Sequence, residues 1–192
     1  TNDGGLHWEE LPEASRPVLN EGEASFAASG TGIRCVEKQK LIITTGGKVS
    51  ALLISENKGH DWIRKQTPII QGLQSTGVFS VAYLNKNKSI IVGGDYLIDT
   101  FMSNHVFYTK NGGCQWLSPA LPTRGYRECV EYLGGKMLLA TGPTGTEISF
   151  DEGRIWFPFS DEQNLHVVRK ARKGKLILLA CKGKVSRIQN EE

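Results

Sequence analysis

Apolar and polar positions alternate over short stretches of this chain, and glycine, proline, asparagine or aspartate breaks each stretch. The runs fall at 25–29, 33–37, 40–45 and 49–55, then at 78–84, 89–93 and 105–109. They continue at 128–133, 136–141 and 146–150, and end with 166–171, 176–181 and 184–188. Each has strand length and is bounded by turn residues, and β-branched residues recur among them, so each predicts a β-strand. No window of about 11 residues carries the 3.6-residue period of a helix. The expectation is an all-β chain.

One phrase punctuates the strands four times. It reads Thr1-Asn-Asp3-Gly-Gly5-Leu-His-Trp8, Ser55-Glu-Asn57-Lys-Gly59-His-Asp-Trp62, Thr109-Lys-Asn111-Gly-Gly113-Cys-Gln-Trp116 and Ser149-Phe-Asp151-Glu-Gly153-Arg-Ile-Trp156. All four tryptophans of the chain lie in it, spaced by 54, 54 and 40 residues. Its chemistry is that of a turn between strands. The carbonyl or carboxylate of Asp3, Asn57, Asn111 or Asp151 accepts backbone N–H groups of its own loop. Gly5, Gly59, Gly113 and Gly153 supply a positive φ. Trp8, Trp62, Trp116 and Trp156 open the outgoing strand and bury a large ring. The phrase is a folding device, not a catalytic one.

With that turn in place, each unit runs strand, strand, strand, turn, strand. This is the grammar of a four-stranded antiparallel β-propeller blade. Blades are expected at 23–66, 77–118 and 127–158, with an incomplete blade at 166–188. Residues 1–12 would be the last strand of a preceding or shared blade.

The tryptophan phrase resembles the Asp-box, or bacterial neuraminidase (BNR) repeat, of sialidase-like β-propellers. Other stretches are similar to the photosystem II stability/assembly factor-like propellers. They are Gly22-Glu-Ala-Ser-Phe-Ala-Ala-Ser-Gly-Thr31, Gly77-Val-Phe-Ser-Val-Ala82, Val92-Gly-Gly-Asp-Tyr96, Gly125-Tyr-Arg127 and Thr141-Gly-Pro-Thr-Gly145. That family includes bacterial members labelled oxidoreductase or glycosyl hydrolase. The resemblance implies seven blades, which at about 40–45 residues each need roughly 300 residues. With 192 residues, a partial piece of about four blades is expected. The alternative is a small four-bladed ring in which residues 1–11 complete the unit at 166–188. Open blades leave unpaired strand edges and apolar faces, so self-association through them stays open.

Composition narrows function more than fold. The chain is 39% hydrophobic, with 23 Lys and Arg against 20 Asp and Glu and a formal net charge of +3. That is too apolar and too evenly charged for a disordered chain, and too slightly basic to argue for nucleic acid. No apolar run approaches the ~18–20 residues of a membrane span. No signal-peptide pattern opens the chain, and a start at Thr1 reads as a trimmed, mature or truncated product. Cys35, Cys114, Cys129 and Cys181 contain no CxxC pair, and His7, His60, His105 and His166 lack ligand spacing, so no metal is expected. No glycine-rich turn opens a helix, which removes the phosphate-loop reading, and no cofactor is expected. Asp-box proteins are commonly secreted or periplasmic, so the resemblance implies an extracytoplasmic place.

Propeller topology sorts the loops onto two faces. Turns between first and second strands share a face with the tryptophan turns and carry Lys38, Lys40, Lys86, Lys88, Lys136, Arg172, Lys173 and Lys175. This basic rim has no interleaved aromatics for base stacking. Its densest piece, Arg169-Lys-Ala-Arg-Lys-Gly-Lys175, reads as a solvated hairpin. The opposite face gathers the family-like phrases. There Glu23, Asp95, Tyr96, Tyr126, Arg127 and His166 are candidate ligand- or partner-binding residues around a central channel, with Ser80 just inside it. The competing reading is that they satisfy one another as buried polar groups.

Two functions stay open. A non-catalytic binding or scaffolding propeller would take a protein or glycan partner through this face. A sialidase-type glycoside hydrolase would want three arginines on a carboxylate, a tyrosine nucleophile with a glutamate, and an aspartic acid. Tyr96, Tyr126, Asp95, Glu23, Glu128 and Arg127 are at hand, with Arg124 and Arg34 as companions, but no spacing assembles an arginine trio. The sequence favours the binding module.

Overall fold

The computed structural model describes residues 1–37 and 39–188, so Lys38 of the basic rim lies outside the described residues. Four antiparallel sheets are arranged as a four-blade propeller, and the 3-10 turn Glu13–Ser15 is the one helical element among the described residues. The first blade runs Ile33–Val36, Lys40–Thr44, Ala51–Ser55 and Ile63–Gln66 from its inner to its outer edge. The second is Thr76–Tyr83, Ser89–Asp95 and Val106–Thr109. The third is Cys129–Gly134, Met137–Gly142, Gly145–Ser149 and Phe157–Ser160. The fourth has the three strands Val167–Lys170, Ile177–Cys181 and Lys184–Ile188.

Period-2 alternation explains how the blades stack. Ile42 pairs with Ile54 across the first blade, and with Leu52 they press on Val78, Val81, Ile91 and Phe107 of the second. Ala82, Ile90, Val92 and Val106 leave by the second blade's other face to meet Val130, Leu138 and Ala140 of the third. Cys129, Leu133 and Leu139 then meet Val168, Ile177 and Leu179 of the fourth. Each buried Ile, Leu, Val or Phe among them contributes about 1.5–3 kcal/mol relative to exposure. Among the described residues no comparable cluster joins the fourth blade to the first, and Ile33 and Val185 stay exposed on those blades.

The axis is bridged by side chains rather than open from end to end, and what remains of the expected channel is a hollow of about 310 Å³ among Arg34, Val36, Ala82, Tyr83, Glu131 and Tyr132. Thr31 Oγ1 donates to Ser80 Oγ at 2.7 Å, and Ser80 Oγ accepts from Val130 N at 3.1 Å. Cys129 Sγ accepts from Val168 N at 3.4 Å. Arg34 reaches across to the carbonyls of Val81 and Val130 at 2.9 and 2.8 Å. The inner strands of all four blades therefore bind one another.

Two local expectations are also corrected. Residues 25–29 form no strand; Glu23–Ala24 pairs with Gly47 and Gly46 instead, and that ribbon joins the second blade's sheet through Gly46 and Gly77. A Cβ on Gly77 would overlap the Gly46 Cα, so this contact requires glycine. The outer strand of the second blade shrinks to a single bridge between Tyr108 and Leu117, because Pro119 and Pro122 beyond it have no N–H to donate.

The tryptophan turns repeat atom for atom. The hydroxyls of Thr1, Ser55, Thr109 and Ser149 accept from the N–H of Gly5, Gly59, Gly113 and Gly153 at 2.8–3.0 Å. Asp3, Asn57, Asn111 and Asp151 each accept the N–H four residues on, at 2.9–3.0 Å. The His7 N–H and the Thr1 hydroxyl hold the Asp3 carboxyl down at about 2. What differs is the host. Trp156 is 1% exposed between the second and third blades, whereas Trp8 is 78% exposed and residues 1–11 form no strand.

Candidate functional site

On the face opposite the tryptophan turns, loops from several blades fold onto an aromatic cluster. Phe79, from the inner strand of the second blade, stacks on Phe26 with centroids 4.2 Å apart. Tyr96 stands edge-on to both, at 6.4 and 6.1 Å, and Tyr126 meets Phe79 edge-on at 4.8 Å. Such edge-to-face contacts each add about 0.5–1.5 kcal/mol beyond burial.

The loop at residues 95–104 lies over this cluster and is pinned along its length. Tyr96 N donates to Ser75 O at 3.2 Å, Phe101 N to Ile98 O at 2.9 Å, and Ile70 N to Asn104 O at 2.8 Å. Asp95 Oδ1 accepts from Leu97 N at 2.9 Å. Tyr126 N donates to Asp99 O at 2.8 Å. That approach is allowed because residue 125 is glycine at φ +91°, where a Cβ would overlap the Asp99 carbonyl. The backbone is fixed, yet its apolar side chains face solvent: Leu97 is 75%, Ile98 56% and Met102 55% exposed, with Tyr96 and Phe101 beside them. Exposed apolar side chains grouped on an ordered loop make this face a candidate interaction site.

The charged candidates go elsewhere. Arg127 is fully buried and forks onto the Glu147 carboxylate, with both bonds at 2.5 Å. Its remaining donors meet Tyr126 O at 2.6 Å and Thr144 Oγ1 at 2.9 Å. Arg124 adds a bond to Glu147 at 2.9 Å and one to Asp161 at 3.0 Å. Glu23 accepts from Thr45 Oγ1 at 2.5 Å, Asn20 N at 2.8 Å and Arg64 at 2.7 Å. Burial pushes its carboxyl up, but Arg64 and Thr45 outweigh that and leave it below the usual carboxylate range. His166 Nδ1 donates to the Glu128 carboxylate.

Of the six candidates, then, the structure brings Tyr96 and Tyr126 together at Phe79, and ties the other four to separate partners. Phe26, Phe79, Leu97, Ile98, Phe101 and Met102 escaped the sequence reading. The first two stood inside the phrases at 22–31 and 77–82; the other four form two apolar pairs, split by Asp99 and Thr100, without strand alternation.

Most of the groups that a hydrolase would use are committed, and Tyr96 alone of the two tyrosines reaches solvent. Arg124 and Arg127 serve Glu147, while Arg34 holds Glu131 at 2.9 Å besides its two carbonyls. Burial pushes the Tyr126 phenol far above its usual range, which disfavours the phenolate a nucleophile needs. On the turn face, Lys40 pairs with Glu56 and Lys88 with Glu152, both at 2.7 Å, so part of the basic rim is neutralised.

Beside the cluster, His105 Nε2 donates to Thr123 O at 2.8 Å, while its buried Nδ1 meets no partner among the described residues. Burial, aided by Arg127, lowers its pKa below the ordinary 6.5. The unfolded chain therefore takes up a proton that the native chain refuses. This contribution to stability is complete above pH 6.5 and is lost as pH falls toward the lower folded value. Urea midpoints are expected to fall as pH drops below 6.5, and His105→Gln should flatten that slope.

Among solved structures, the fold is similar to YCF48 from Cyanidioschyzon merolae, with a TM-score of 0.52 and 14% identity over 84% of this chain and 56% of that one. It is similar to a GH74 enzyme of Niastella koreensis, with a TM-score of 0.53 and 12% identity over 81% of this chain and 30% of that one. The computationally designed Ika4 protein has a TM-score of 0.53 and 10% identity, over 85% of this chain and 94% of that one. No protein-family model and no curated protein matches the sequence. Likeness at these identities is a likeness of fold, and the chain spans about half of YCF48 and less than a third of the GH74 enzyme.

Proposed function

We propose that this chain is a non-catalytic binding or scaffolding propeller that holds an apolar segment of a protein partner. The partner lies on the face opposite the tryptophan turns. The observation that carries the reading is the loop at 95–104, whose hydrogen-bonded backbone presents Leu97, Ile98, Phe101 and Met102 to solvent. Folding gains nothing from leaving them out, whereas a partner's apolar side chains would bury them together with the edge of Tyr96. Because the loop is held in place, little ordering cost opposes binding. The phrases similar to the photosystem II stability/assembly factor-like propellers favour the same role, since photosynthetic members of that family assist assembly of membrane protein complexes. On this reading the four turns are Asp-boxes and the protein works outside the cytoplasm.

Random extended peptides displayed against the chain should yield binders rich in aliphatic and aromatic residues. The double variant Leu97→Glu/Ile98→Glu should weaken them at least about tenfold, or 1.4 kcal/mol. Being on the surface, it should leave stability within about 0.5 kcal/mol. No peptide binders, together with binding on a glycan array, would move the partner to the glycan class. Turnover of aryl-glycosides or sialosides would restore the hydrolase.

A further inference from the structure

We propose that a hollow between the first and second blades, on the tryptophan-turn face, binds a small monocarboxylate with an apolar body. The repeated turn points to it, because one copy breaks the pattern of the others. Trp8, Trp62 and Trp156 each donate Nε1–H within their own loop, to the carbonyls of Gly5, Gly59 and Gly153 at 3.0–3.2 Å. The buried Trp116 Nε1 meets no partner among the described residues. Its turn is otherwise intact, with the Thr109 hydroxyl and Asn111 bonds made at 3.0 and 2.9 Å. A buried donor left alone costs about 1–3 kcal/mol, and an incoming acceptor would remove that cost.

A hollow of about 260 Å³ opens beside this indole, and Tyr83 also lines it. The buried Tyr83 hydroxyl likewise meets no partner among the described residues. Buried polar atoms without partners are few in native proteins, and of the four found here two belong to residues lining this one hollow. Charge sets the sign of the occupant. Lys40, Lys65 and Lys86 line the hollow against the single carboxylate of Glu56. Glu56 pairs with Lys40 at 2.7 Å, while Lys65 Nζ donates to the neutral Gly112 O at 2.6 Å. An anion is therefore attracted, and Glu56 repels a dianion more than a monoanion. Buried Ile42, Leu52 and Ile54 supply an apolar floor for a hydrocarbon body. The volume lies just below the ~300–1,000 Å³ of small-molecule sites, so one ring or a short chain fills it. Lys65 is the cover. A Cβ on Gly113 would touch Trp116 Cζ2 at 3.4 Å and Lys65 Cδ at 3.5 Å, so the lysine stem runs along the indole edge. That stem is flexible, and a carboxylate offers its ammonium a stronger, charge-assisted bond than Gly112 O does.

The indole N–H signals in the NMR spectrum test this, with Trp116→Phe identifying the Trp116 signal. The probes are phenylacetate, phenylpropionate, hexanoate and octanoate. At least one should move the Trp116 signal downfield, since a hydrogen bond deshields the proton, and should saturate with a Kd below about 1 mM. The Trp8, Trp62 and Trp156 signals should stay in place. Lys65→Met/Lys86→Met should weaken that acid at least about tenfold, and its primary amide should not bind. Tyr83→Phe should weaken it too, yet leave the free protein at least as stable, because the hydroxyl removed had no partner. No saturable shift from any of the four acids would overturn the proposal and leave both groups to water. So would an amide that binds as well as its acid, phenyl phosphate binding more tightly than every carboxylate, or affinity that survives the lysine double variant. A Tyr83→Phe variant that loses stability without losing affinity would overturn it as well.

Discussion

Arg127→Ala is expected to lose about 3–5 kcal/mol of stability, the usual cost of removing one partner from a buried ion pair. Arg127 and Glu147 are both inaccessible, and the guanidinium fork satisfies both oxygens of the carboxylate. Truncation strands Glu147 and also takes the Arg127 donor from Tyr126 O and Thr144 Oγ1. Arg124 keeps one bond to Glu147, which places the loss toward the lower end. For a domain of this size the melting temperature should fall by roughly 6–20 °C. Arg127→Met/Glu147→Leu should recover most of the loss, because no buried charge is left alone. An Arg127→Ala variant that melted like the parent would return Arg127 to the ligand-binding candidates.

That residue marks where sequence reading stopped. The strands and turns were legible because their causes are local: period-2 alternation, a hydroxyl and an Asp or Asn within one phrase, and a glycine where φ is positive. Arg127 in Gly-Tyr-Arg carries no sign of Glu147, which arrives from another strand 20 residues away. An arginine waiting for a ligand and one locked to a buried carboxylate look the same along the chain. Glu23 misled in the same way, since Arg64 and Thr45 lie 41 and 22 residues away along the chain. The apolar side chains of the loop at 95–104 follow no alternation that would mark them along the chain. Exposure is a property of the folded surface, and no periodicity reports it. The bridged axis was hidden for a related reason: Thr31, Ser80 and Cys129 are unremarkable small residues until folding brings them together.

Replacing the four tryptophans by alanine one at a time should then give four different losses from one eight-residue phrase. Trp156→Ala empties a site lined by Ala82, Ile90, Val92 and Leu138 and should cost about 3–5 kcal/mol. Trp8→Ala removes an indole that touches little beyond Gly5 and should stay within about 0.5 kcal/mol when the chain is monomeric. Trp116 and Trp62, both half-buried, should fall between. Trp62 gains from the Ser15 carbonyl, and Trp116 loses by a buried, unpartnered Nε1. The hydroxyl and Asp or Asn bonds are the same in all four turns, so any spread must come from what stands on the other side of the ring. Equal losses, read from urea midpoints at low concentration, would mean that the indole stabilises its own turn. A graded series would mean that it acts as the wedge between neighbouring blades, so that the same phrase is worth several kcal/mol where a neighbour is present and almost nothing where none is.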